Sequence, residues 1–146
     1  MASILVIDDD RAVLATIKIL LDRAGHAVEG VDNSRTGLRL LGANSFDLLI
    51  VDIFMPGMDG FETMKLVHQS RPHMPVIVMS GQQFSYSSEP APDFLHMATR
   101  LGAVASLHKP FRPAELVAAV DRILSGSQSP PALHGKVTAG IPSEQQ

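Results

Sequence analysis

Carboxylates, a hydroxyl and an ammonium group stand at the ends of the apolar runs in this sequence. ILVI (4–7) runs into Asp8, Asp9 and Asp10, and DLLIV (47–51) runs into Asp52. PVIVM (75–79) meets Ser80 and Gly81, and AVASL (103–107) meets His108, Lys109 and Pro110. If these runs are parallel strands of one open sheet, their C-terminal ends share an edge, and that edge is where ligands of such sheets sit. Singly, each residue has an ordinary use: Asp9 or Asp10 could cap a helix starting at residue 11, Ser80-Gly81 could open a loop, and Lys109 could be a solvated charge. Together they are costly, because clustered acids repel one another and lose hydration unless a cation neutralises them. The fitting cation is hard and oxygen-seeking. Magnesium takes one or two carboxylates, keeps several waters and tolerates a phosphate oxygen. Phosphoryl transfer needs mainly positioning and charge neutralisation, which a metal on one side and Lys109 on the other would supply. Asp52 is then the candidate nucleophile, since a carboxylate can accept a phosphoryl group as an acyl phosphate.

The elements that must position these residues follow from the hydrophobic pattern. Besides the four runs above, HAVEGV (26–31) reads as a strand. The other runs scarcely alternate and are rich in Ile and Val, which suits strands covered on both faces. Helical spacing appears over 11–24 (Val13, Ile17, Leu20, Leu21, Ala24, with Gly25 as a stop), 35–43 (Leu38, Leu41, capped by Asn33 or Ser34) and 61–69 (Phe61, Met64, Leu66, Val67). It recurs over 93–101 and over 113–124, the latter opened by Pro113. Five strand–helix alternations predict an α/β, doubly wound parallel sheet with helices on both faces. Residues 81–92, GQQFSYSSEPAP, make a long Ser/Pro-rich connection. Residues 126–146 lack periodicity and read as a disordered tail or linker with no effector domain, leaving 1–125 as the folded domain.

Composition excludes much else. The formal charge is −3 with no basic run, so a face for nucleic-acid phosphates is not expected. The chain has no cysteine, which removes disulfides, thiolate metal sites and a thiol nucleophile, and fits a cytoplasmic setting. No apolar run approaches the roughly 18–20 residues that span a bilayer, and MASILVIDDD is no signal peptide. The six histidines show no metal-ligand spacing, and neither G-x-x-x-x-G-K-[ST] nor G-x-G-x-x-G occurs.

LVIDDD, LLIVDIFMPGMDGFE, VIVMSG and LHKPF, in this order at the ends of these strands, resemble the receiver domain of bacterial two-component response regulators, over about residues 3–125. The resemblance implies a flavodoxin-like sheet of strand order 2-1-3-4-5. It implies that Asp52 accepts the phosphoryl group, that Asp9, Asp52 and the Phe54 carbonyl bind magnesium directly, and that Asp8 holds a metal-bound water. Lys109 would pair with a phosphoryl oxygen, Ser80 would be the switch hydroxyl, and Lys109-Pro110 would be cis. Asp10 matches no metal position and is expected to be an exposed acid at a helix start. The implied partners are a sensor histidine kinase or histidine phosphotransfer protein upstream and an unnamed protein downstream, met through the helical faces at 93–101 and 113–124. The expected state is a stand-alone receiver, monomeric or weakly dimeric, that is not an enzyme beyond acquiring and shedding its own phosphoryl group.

The sequence departs from the family pattern in two places. Where the family usually carries an aromatic, three residues before the lysine, this chain has Ser106, and the Ser80–Lys109 interval is lengthened around 81–92. Phe84 or Tyr86 is the candidate to fill that space, with a floppy surface insertion as the plainer reading. Phe54 and Gln82, two residues after Asp52 and Ser80, occupy positions that the family uses to tune phosphoryl-group lifetime. Other readings are a flavin- or phosphate-binding module, which would want phosphate loops where the acids stand, and a small-molecule phosphohydrolase. The main alternative is a degenerate receiver serving as a constitutive interaction module.

Overall fold

The computed structural model describes residues 2–53, 60–80 and 99–126. Five parallel strands form one sheet: β1 (Ser3–Ile7), β2 (Ala27–Val31), β3 (Leu48–Asp52), β4 (Val76–Ser80) and β5 (Ala103–His108). Their order is β2-β1-β3-β4-β5. Helices α1 (Arg11–Arg23), α2 (Ser34–Ala43), α3 (Gly60–Ser70) and α4 (Pro113–Leu124) complete the described elements. This is the doubly wound architecture expected from the alternation, with the flavodoxin-like strand order that the resemblance implies. Among the described residues no helix is long and apolar enough to cross a membrane.

Strand alternation divides the core in two. Ile4, Val6, Leu48, Ile50, Ile77, Met79, Ala105 and Leu107 pack against Ile17 and Leu21 of α1 and Leu116, Ala119 and Val120 of α4. Leu5, Ile7, Leu49, Val51, Val76 and Val78 pack against Leu41 of α2 and Met64 and Val67 of α3. Each large side chain fully buried this way contributes about 1.5–3 kcal/mol, so the two layers supply most of what holds the sheet between its helices.

Local signals set the helix ends. Asp10 caps α1, its side chain accepting the Ala12 and Val13 N–H groups, and Gly25 follows α1 with φ +96°. Of the two candidate caps for α2, Asn33 is used: its Oδ1 accepts the Thr36 N–H at 2.8 Å. In α4, Pro113 occupies the first turn while Glu115 accepts the Arg112 N–H at 2.8 Å.

Two expectations need correction. β5 is not covered on both faces: Ser106 and His108 are exposed, alternating with buried Ala105 and Leu107. β5 lies at an edge of the sheet, and among the described residues the face that carries Ser106 and His108 is left open to solvent; β2, the other edge, is largely exposed too. Leu66 does not join the core stripe of α3 but is 40% exposed, because Gly60, Thr63, Met64 and Val67 already define the buried face. The expectations for 81–92, Phe54, most of the helix at 93–101 and the tail at 127–146 fall outside the described residues; within the 93–101 pattern, Thr99 and Arg100 are helical.

Candidate functional site

The alternation that builds the core also aims the polar residues. Ile4 pairs with Leu48 and Ile7 with Val51, so one step further Asp8 and Asp52 lie side by side. Asp8 is in phase with Ile4 and Val6, and Asp52 with Leu48 and Ile50, all on the side of the sheet that α1 and α4 cover. In β5 a register irregularity inserts one residue, so that Val76 faces Ala103 and Ile77 faces Ala105. That shift puts Ala105 and Leu107, and in phase with them Lys109, on the same side as the two acids. Three strands thus deliver Asp8, Asp52 and Lys109 to one point.

The contacts there are short. Lys109 Nζ lies 2.8 Å from Asp8 Oδ2 and 3.1 Å from Asp52 Oδ2. Asp8 is fully buried and Asp52 is 5% exposed. Asp8 Oδ1 accepts the Asp10 N–H at 2.8 Å, and the Asp8 N–H donates to Val31 O at 3.1 Å. Asp8 Oδ2 is buried, and its short contact with Lys109 is an ion pair. Burial pushes the Asp8 carboxyl above its ordinary value, with Lys109 and the Asp10 N–H opposing. For Lys109 burial acts downward, but Asp8 and Asp52 outweigh it and hold the ammonium above its usual value.

The backbone beyond Asp52 has its own requirement. The Gly60 N–H donates to Ile53 O at 3.2 Å. A Cβ at Gly60 would fall 2.1 Å from Ile53 Cα and 2.5 Å from the Asp52 carbonyl oxygen. Only glycine lets α3 start this close to the strand that carries Asp52.

Exposed Asp9 completes an acid cluster: one oxygen from each of Asp8, Asp9 and Asp52 lies within 4.8 Å of the others. An all-oxygen donor set, two of its members desolvated, fits a hard divalent cation. Ser80, half-buried, ends β4 at the same sheet edge, and its carbonyl accepts the Lys109 N–H at 2.8 Å. By alternation its side chain is in phase with Val76 and Val78, so the hydroxyl stands one step out of phase with Asp52 and Lys109. The Lys109-Pro110 peptide is cis. His108, as expected from alternation, is exposed. Asp10 is the exposed helix-start acid predicted for it, but its N–H on Asp8 was not foreseen: no side-chain pattern announces a backbone donor.

A family model of the response regulator receiver domain matches residues 4–121. The chain belongs to the response-regulator receiver family. This receiver domain is 35% identical, over 99% of its own length, to the DNA-binding transcriptional regulator NtrC of Azospirillum brasilense, of which it spans 28%. Among solved structures, it superimposes with a TM-score of 0.74 on a receiver domain protein from Clostridium thermocellum, at 32% identity over 86% of this chain and 95% of that one. On the chemotaxis protein CheY4 of Vibrio cholerae the TM-score is 0.75, at 29% identity over 84% and 98% of the two chains.

Proposed function

We propose that this receiver accepts a phosphoryl group on Asp52 from a phosphohistidine of a sensor histidine kinase or histidine phosphotransfer protein. The observation that carries the reading is the placement of Lys109 Nζ against both Asp8 and Asp52, with Asp9 beside them. An Asp52 oxygen attacks phosphorus, and the P–N bond breaks. Its electron pair stays on the donor imidazole, which carries a proton on its other nitrogen and leaves neutral. The Lys109 ammonium, already 3.1 Å from the attacking carboxylate, turns to a phosphoryl oxygen and takes up part of the charge gathering there. Magnesium held by Asp9, Asp52 and the Phe54 carbonyl, with Asp8 through a water, would neutralise the remaining phosphoryl oxygens. Hydrolysis reverses the acceptor's part: water attacks phosphorus, and Asp52 returns to a carboxylate with release of inorganic phosphate. The receiver turns over only its own phosphoryl group and in that sense is not an enzyme.

Phosphorylation adds charge and acceptor oxygens at the sheet edge. Ser80, whose carbonyl is already tied to Lys109, gains a hydrogen bond by turning its hydroxyl toward the new group. That gain biases an equilibrium between two arrangements of the edge, which a downstream protein reads. A cytoplasmic setting fits this exchange and the absence of cysteine. The test is incubation of wild type and Asp52→Asn with acetyl phosphate and magnesium, followed by labelling from candidate kinases. Exposed Ser106 at the customary aromatic position favours a second reading, a constitutive interaction module, which equal partner binding with and without phosphodonor would support.

A further inference from the structure

We propose that Asp10 is a positioning residue for the acid cluster, acting through the first turn of α1; this rests on reading Asp8, Asp9 and Asp52 as a cation site. Two hydrogen-bonding systems meet at Asp10. Its N–H donates to Asp8 Oδ1 at 2.8 Å, while its own Oδ1 accepts the Ala12 N–H at 2.9 Å and the Val13 N–H at 3.3 Å. The side chain therefore fixes the orientation of the peptide whose N–H holds Asp8. On its other side Asp8 meets Lys109 at 2.8 Å, so neither carboxylate oxygen can rotate without losing a partner.

Asp9 gains most from this arrangement. It is exposed, and its place is set by the backbone on either side of it. That backbone is pinned before it by the Asp8 N–H on Val31 O at 3.1 Å and after it by the Asp10 cap. α1 itself does not depend on the cap for its place, because buried Ile17 and Leu21 hold it against the sheet. Loss of the Asp10 carboxylate thus leaves the helix seated but releases the three-residue segment that presents two of the three acids. Outer partners of this kind, which orient metal ligands without touching the metal, typically govern affinity by 10–100-fold.

Two variants of the full chain separate position from charge. Asp10→Gly removes the capping oxygen at little cost to helix stability, since glycine is itself a tolerated cap, and Asp10→Asn keeps the acceptor while removing the charge. Magnesium affinity is measured by calorimetry, with thermal melting as a check on folding and the acetyl phosphate labelling rate at low and saturating magnesium. Asp10→Gly is expected to weaken magnesium binding about tenfold and to recover its labelling rate at saturating metal. Asp10→Asn is expected to stay within about twofold of wild type. Unchanged affinity in Asp10→Gly would overturn the proposal. So would an Asp10→Asn as weak as Asp10→Gly, which would mark the effect as one of charge. Wild type that binds no magnesium would instead remove the cation-site reading on which the proposal stands.

Discussion

At the N-terminal end of the sheet, Asp47 accepts the Ser3 N–H at 2.8 Å in an exposed setting, and His26 Nε2 stands 3.8 Å from Asp121, itself largely exposed. At the C-terminal end, Asp8 and Asp52 are buried and share one ammonium at 2.8 and 3.1 Å. The residue types are alike; the solvation is not. At the first end, Asp47 and Asp121 are exposed to solvent, and little depends on either of them. At the second, two desolvated carboxylates are held close together with Lys109 against both of them. An arrangement held at such cost is a place where an added cation or a transferred phosphoryl group can change the balance, and this is what makes one end of the sheet a site and the other an edge.

Perturbations that act at one end and not the other sharpen this contrast. The largest effect on folding is expected from Gly60→Ala, whose methyl would meet backbone atoms beside Asp52: a loss of about 3 kcal/mol or more in denaturant unfolding, above the usual overpacking range because the neighbour cannot yield. Lys109→Met comes next. It leaves buried Asp8 and Asp52 without their cation, so the metal-free protein should lose about 2–3 kcal/mol, toward the low end for buried pairs because Lys109 is 18% exposed. Magnesium at 100 times its dissociation constant should return about 2.7 kcal/mol, as read from the same unfolding curves.

Asp8→Asn should do the opposite of Lys109→Met. Burial disfavours the charge it removes, so the metal-free protein should be neutral or up to about 1 kcal/mol more stable while binding magnesium more weakly. The same group sets a pH dependence. Because the folded-state pKa of Asp8 is raised, the native protein binds the extra proton between about 4 and that raised value. Metal-free stability should therefore fall as pH climbs through this window and level off above it, and the slope should flatten in Asp8→Asn. Lys109 acts at the other extreme: its contribution is complete below the ordinary lysine value and is lost as pH rises through its own raised one. The smallest effects belong to the other end and the helix surface. Asp47→Ala should cost about 0.5–1 kcal/mol and Lys18→Ala, which removes an exposed pair with Asp22, at most about 0.5 kcal/mol, neither altering phosphoryl labelling.

Much of this site could be read in the sequence because strand alternation carries chemistry as faithfully as it carries packing. The apolar runs at 4–7, 47–51, 75–79 and 103–107 end within a residue of the observed strands, and the acids and lysine just beyond them converge. The strand order did not follow from the runs; it came from the family resemblance, since pattern fixes faces but not neighbours. Burial on the edge strands escaped for the same reason: AVASL looks like a covered strand until β5 is known to be last in the sheet. Close approaches were illegible too. Nothing in PGMDG says that Gly60 lies against Ile53 Cα, and nothing in DDD says that the third acid lends its N–H to the first.

The central claim concerns one carboxylate, and intact-mass measurement after incubation with acetyl phosphate and magnesium tests it most directly. Wild type should gain the mass of a single phosphoryl group, removed by chelating the metal before the donor is added, and Asp52→Asn should gain none. A phosphoryl group that still appears on Asp52→Asn would contradict the account and place the acceptor elsewhere.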